Sequence, residues 1–242
     1  MPGKRLTRIE QQERTRSKLM EAASRVFSCK GMQQGSIDEV AEEAGYTKGA
    51  FYANFKSKEE LFLAMLDERF EERIRATEEA FEAEDEFPPD QARNAAADFA
   101  RASHRNEEGE RLFLEFATYA LQNEDFRQEL LTRFATLRKR LAAIYEKRME
   151  TYGIKDPPAP VDALVRMVIF MADGWALWRL LEPDQVDDDL FESMIGIFTT
   201  GVGVMGGALE VEAAKSQAAQ PAAASTSQGS QPSGGAQSDS NG

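Results

Sequence analysis

Residues 36–58, SIDEVAEEAGYTKGAFYANFKSK, limit the possible folds of this chain more than any other stretch. Serine 36 with glutamate 39, and serine 57 with glutamate 60, have the spacing of capping boxes, in which a hydroxyl and a carboxylate satisfy the orphan donors of a helix start. Two helices are therefore predicted to begin here. Between the caps Ile37, Val40, Ala41 and Ala44 recur at helical spacing, Gly45 supplies a left-handed position that ends a helix cheaply, and Thr47 can cap a further short helix. Phe51 and Phe55 stand one turn apart on that short helix, so one face packs inward and Lys48, Gly49, Tyr52 and Asn54 are left for the other. The stretch reads as helix, tight turn, helix.

A second helix carrying lysine, glycine, tyrosine and asparagine has what a major-groove reader needs. Lysine reaches base edges or phosphates, glycine lets the backbone come close, and a tyrosine hydroxyl donates to phosphate. An ordinary α-hairpin with a solvated polar face satisfies the same periodicity. The wording goes further than the periodicity: T-K-G-A-F-Y-A-N-F-K-S-K-E-E-L-F, preceded by I-D-E-V-A-E-E-A-G, resembles the DNA-binding region of the TetR family of bacterial transcriptional regulators. The resemblance runs from Glu13 to Arg73, about sixty consecutive residues, well beyond a lone short motif.

That resemblance implies base contacts from Lys48, Gly49 and Ala50, and phosphate contacts from Thr47, Tyr52, Asn54 and Lys58, with Ser36 both capping and touching DNA. Ala53 and Asn54 depart from the aromatic or polar group and the histidine that many members carry there, so the contact at 54 carries over less firmly than that at Tyr52.

Charge is divided unevenly along the chain. Residues 1–58 hold 11 Lys/Arg and 7 Asp/Glu, a net of +4, whereas the rest holds 18 and 35, a net of −17. A basic amino-terminal unit can displace counterions from phosphates while an acidic remainder is repelled, so only one end is expected to touch DNA.

Outside the reader, apolar residues keep helical spacing and no period-2 alternation appears, which predicts an all-α fold. Residues 1–12 are expected to be a basic flexible arm, 13–73 a three-helix DNA-binding unit with the helix-turn-helix, 74–210 a helical ligand-binding and dimerisation domain, and 211–242 a disordered tail. In the first unit Leu19, Ala22, Ala23, Val26 and Phe27 stripe a helix that Gly31 stops, and Leu61, Phe62, Met65, Leu66, Phe70 and Ile74 stripe a long one running toward residue 80. EAEDEFPPD at 82–90 predicts a corner, followed by helices near 90–104, 107–122, 124–152, 160–181 and 187–209.

Residues 160–181 are apolar nearly all round and 193–209 carry no charge. Seventeen uncharged residues are at the short limit for crossing a bilayer, and no Lys/Arg cluster flanks them, so no membrane span is expected. Beside the family, 160–209 resemble the two helices through which TetR-type proteins dimerise, the glycines allowing close helix approach. Dimerisation also has its own motive, since one helical reader covers only a half-site.

Family resemblance further implies a small-molecule effector enclosed by the carboxy-terminal helices. Phe113, Phe116, Tyr119, Phe134, Tyr145, Met171, Asp173 and Trp175 are its candidate lining, although aromatic and methionine stripes are also ordinary core. Asp173, within an apolar helix, needs a partner: an arginine, a backbone donor, the other subunit or a ligand cation. His104, the only histidine, is expected to be solvated, and Glu115 stands out between Leu114 and Phe116.

Cys29, the single cysteine, has no partner for an intramolecular disulfide and is expected to be a small packed residue. No apolar run follows MPGKRLTR, and a cytoplasmic protein is expected. Nothing in the chain resembles a metal-binding, cofactor or nucleophile–base motif, so neither catalysis nor a cofactor is expected. The combined expectation is a homodimeric regulator that represses from a palindromic operator on double-stranded DNA, with an activator or a helical protein-interaction module as the alternatives.

Overall fold

The computed structural model describes residues 7–82 and 88–207. The expected tail and most of the expected corner lie outside the described residues. Within them every regular element is a helix: α1 (Arg8–Gln34), α2 (Ile37–Glu43), α3 (Lys48–Tyr52), α4 (Lys58–Glu82), α5 (Pro88–Arg105), α6 (Glu107–Gln122), α7 (Glu124–Thr151), α8 (Val161–Leu181) and α9 (Asp188–Met205).

The first helix begins earlier than expected. Thr7 and Glu10 form a reciprocal capping box, the Glu10 N–H donating to the Thr7 hydroxyl at 3.2 Å and the Thr7 N–H to the Glu10 carboxylate at 2.6 Å. Residues 8–12, expected in a flexible arm, are therefore helical. At the other end Gly31 takes φ 76°, a left-handed position that breaks α1 as expected, although a further turn follows it. The last helix ends at Met205, short of the expected 209.

One apolar core runs from the reader into the body. Leu19 and Phe27 of α1, Val40 of α2, Phe51 of α3, Phe62 of α4, Phe116 of α6, Leu137 of α7 and Val165 of α8 all belong to it. Phe27 meets Phe62 edge-on at 4.7 Å between centroids, and Phe62 meets Phe116 at 5.0 Å. A second cluster packs Ala92, Ala96 and Ala100 of α5 against Trp175 of α8 and Phe191 of α9. Here the close approach expected of α9 is made within the subunit: a Cβ on Gly196 would collide with the Arg93 side chain of α5.

Cys29 is exposed, contrary to expectation. It lies about 200° around the helix from Phe27, which holds the buried face. His104 is exposed as expected but engaged, its Nε2 2.7 Å from Asp188 and its Nδ1 3.1 Å from the guanidinium of Arg179. Arg179 itself is buried and also donates to the Ser103 carbonyl and hydroxyl and to Glu107, tying α8 to the junction of α5 and α6.

Candidate nucleic-acid interface

Local chemistry sets the reader's frame. The Ser36 hydroxyl accepts from the Glu39 N–H at 3.2 Å while the Glu39 carboxylate accepts from the Ser36 N–H at 2.9 Å, so the first predicted box is complete. Lys30, paired with Glu39, and these Ser36 bonds hold the Glu39 carboxyl at about 2, well below the usual carboxylate range. Gly45 turns the chain at φ 73°, and the Thr47 hydroxyl accepts from the Ala50 N–H at 3.2 Å to start α3. The second predicted box is only half formed: Ser57 accepts from the Glu60 N–H, but the Glu60 carboxylate takes the N–H of Lys56 instead.

Phe51 and Phe55 are 0% and 1% exposed, which fixes the rotation of α3 about its axis. Thr47, Lys48, Gly49 and Tyr52 consequently lie on the exposed side, with Ala50 partly covered. Arg16 of α1 braces the far end, its guanidinium 4.2 Å from the Phe55 ring centroid and donating to the Asn54 carbonyl at 3.2 Å. The Lys48 ammonium donates to Asp38 of α2 at 2.9 Å, and that hydrogen bond raises the lysine pKa.

Besides Lys48, three more of the candidate contacts are engaged within the protein itself. Asn54 turns its amide onto the Ala50 carbonyl at 2.8 Å. Lys58 donates to the carbonyls of Met32 and Gly35 at 3.0 and 2.9 Å, which stitches α4 to the broken end of α1. The Ser36 hydroxyl, besides capping, donates to Glu39. Sequence reasoning missed Asp38 and Arg16. The helical phase of α2 places Asp38 on the solvent side, but nothing in the sequence indicates that it faces Lys48.

The candidate ligand residues divide into two groups. Phe113, Phe116, Tyr119, Phe134 and Tyr145 pack in or against the main core, whereas Met171 and Trp175 belong with the α5–α9 cluster. Trp175 stacks on Phe191 at 5.0 Å and donates its indole N–H to the Asp187 carbonyl, a packing role. Tyr119 points toward the reader, donating to Glu59 at 2.8 Å; burial and that bond push its hydroxyl up to about 12.

Asp173 finds its partner in Arg73 of α4, at 3.4 Å. Burial raises its pKa even so, outweighing the pull of Arg73 and Arg69. Tyr145, its pKa also raised by burial, and Phe99, 5.3 Å from the Arg73 guanidinium, adjoin the same arginine. Beside them Arg69 pairs with the buried Glu110, which also accepts from Ser103. Polar groups thus concentrate between α4, α6, α7 and α8 in an otherwise aromatic interior. No cluster able to hold a metal ion occurs among the described residues.

A capped short helix, locked by two buried phenylalanines and leaving lysine, glycine and tyrosine exposed within the basic end of the chain, has the form of a helix-turn-helix DNA-binding element. Residues 19–65 match the sequence profile of bacterial regulatory proteins, tetR family. The amino-terminal part of the chain is thus similar to the DNA-binding region of TetR-family regulators, and the relatives it matches are named as transcriptional regulators.

Among relatives, the HTH-type regulator YfiR of Bacillus subtilis is 24% identical over 170 residues, 68% of this chain and 80% of YfiR. TtgR of Pseudomonas putida is 41% identical over 85 residues, 35% of this chain but only 40% of TtgR. The transcriptional activator FasR of Mycolicibacterium smegmatis is 37% identical over 78 residues, 32% of this chain and 34% of FasR. In fold the chain is similar to the FadR regulator of Bacillus subtilis, solved with stearoyl-CoA, with TM-score 0.64, 17% identity, and coverage of 77% of this chain and 98% of FadR. It is also similar to the fatty acid degradation regulator FadR of Bacillus halodurans, with TM-score 0.66, 14% identity, and coverage of 82% and 97%. At these identities the likeness is one of fold.

Proposed function

We propose that the protein binds an inverted-repeat operator as a homodimer, represses transcription from it in the cytoplasm, and is released by a small-molecule ligand. The free face of α3 carries this reading: Lys48, Gly49 and Tyr52 are exposed on a helix whose opposite face is fully buried. One such helix covers a half-site, so two copies meet with their readers about 34–36 Å apart, one turn of DNA, or a multiple of that distance.

The dimer contact is assigned to α8 and α9. Met167, Phe170, Trp178 and Leu181 form an exposed stripe on α8, with Gly174 in line, and Leu190, Ile197 and Val204 form one on α9, with Gly201 in line. A Cβ on either glycine would meet nothing within 4 Å inside this chain. An exposed apolar surface of that extent, with backbone accessible along its middle, suits a second copy of the same pair. The ligand is assigned to the interior around Arg73, Asp173 and Tyr145, where polar groups stand among aromatic rings.

Selection of bound fragments from random and genomic DNA, repeated at two salt concentrations, tests the reading. Recovery of one inverted repeat, with affinity falling steeply as salt rises, is the expected result. A folded dimer that enriches no sequence before and after unfolding, stripping and refolding overturns it. The relationship to the activator FasR favours activation as a second reading of the same fold. Transcription in vitro from the recovered site distinguishes the two by sign.

A further inference from the structure

The Lys48–Asp38 pair stands out on the reading surface. Both side chains are exposed, at 54% and 64%, so the pair contributes little to folding. A carboxylate on a face that approaches phosphates weakens binding to all DNA alike unless it has a use there. Paired with Lys48 it forms a neutral doublet, an ammonium donor 2.9 Å from a carboxylate acceptor.

The major-groove edge of a base pair presents the complementary doublet. In G·C the guanine O6 acceptor lies beside the cytosine N4–H donor, joined to it by a Watson–Crick hydrogen bond of about 2.9 Å. T·A presents the same order through thymine O4 and adenine N6. The flanking groups separate the two. Beyond O6, guanine offers N7 as a second acceptor for the ammonium, where thymine offers a methyl group. Beyond N4, cytosine carries only a C–H, where adenine N7 would set an acceptor against the carboxylate. A·T and C·G in this orientation place donor against donor and acceptor against acceptor.

We propose that Lys48 and Asp38 act together as one reader of a G·C base pair in each half-site, the lysine on guanine O6 and N7 and the carboxylate on cytosine N4. This rests on the operator reading above and extends it from fold to base identity. Asp38 is then a specificity residue in two ways: it accepts from cytosine, and by repelling phosphates it lowers affinity for unrelated DNA.

The test uses the full-length protein and the inverted repeat it selects. Replacing the assigned G·C by any other pair lowers wild-type affinity about 5- to 100-fold. N4-methylcytosine at that position keeps the pairing but blocks the donor, and is expected to weaken the wild type about tenfold and Asp38→Ala not at all. Lys48→Met and Asp38→Ala relax preference at the same base pair, and Asp38→Ala binds random DNA several-fold more tightly. Circular dichroism of each variant establishes that it folds. If the two variants relax different positions, or N4-methylcytosine weakens wild type and Asp38→Ala equally, the joint reader is overturned while the operator reading stands. A wild type that enriches no repeat overturns both.

Discussion

Tyr52 and Lys48 are neighbours on one exposed face, yet their chemistry predicts different losses. A phenol hydroxyl on a phosphate positions the protein without reading sequence, so Tyr52→Phe is expected to weaken operator and random DNA by the same factor. Lys48→Ala is expected to cost the operator more than random DNA, and competition binding on both measures the difference; equal losses would count against a base-reading lysine. Glu39 makes a pH prediction. Its pKa is depressed from 4.5 to about 2 by Lys30 and the Ser36 cap, so its stabilisation of α2 is present above about pH 4.5 and is lost as pH falls toward 2. Amide protection in α2, taken relative to intrinsic exchange at each pH, should fall across that window in the wild type and not in Glu39→Gln. Both effects were partly legible in the sequence, because caps and exposed helix positions follow from neighbours three or four residues apart.

Between elements, α6 grips the reader where α1 breaks. The Glu115 carboxylate accepts from the N–H of buried Met32 at 3.1 Å, one residue past the left-handed Gly31. The left-handed conformation favours glycine at 31, and a Cβ there would come 3.0 Å from that same carboxylate, crowding the bond it makes to Met32. Glu115→Ala leaves a buried N–H unpaired and is expected to cost about 1–3 kcal/mol, measurable by denaturant titration. If the Glu115–Met32 bond also conveys movement of α6 to the reader, the variant binds operator with reduced response to ligand. The odd position of Glu115 between two apolar residues was visible in the sequence. Its partner, 83 residues away, was not.

For the whole molecule, the decisive surface is the pair of apolar stripes on α8 and α9. Phe170 and Ile197 are 64% and 72% exposed in the single chain, and burying such side chains stabilises association by about 1.5–3 kcal/mol each. Phe170→Glu and Ile197→Glu are expected to yield folded monomers by sedimentation, with operator affinity falling because a single reader holds one half-site. A variant that remains dimeric would place the subunit contact elsewhere. The apolar, uncharged character of these helices was legible in composition, and the structure shows how it is shared: Trp175 and Gly196 face α5 within the subunit, whereas Phe170, Trp178 and Ile197 face outward.

By itself the sequence determined the helix-turn-helix, since caps, the Gly45 turn and the Phe51–Phe55 spacing act over a few residues and leave the backbone few alternatives. Tertiary structure alone decided that Asp38 meets Lys48, that Lys58 is committed to α1, that Arg73 answers Asp173, and that the candidate aromatic residues separate into two clusters. Helical periodicity tells which face of a helix is apolar. Which helix packs against that face depends on rotation and crossing angles set by all the other contacts at once, and those pairings span tens of residues that no local pattern connects.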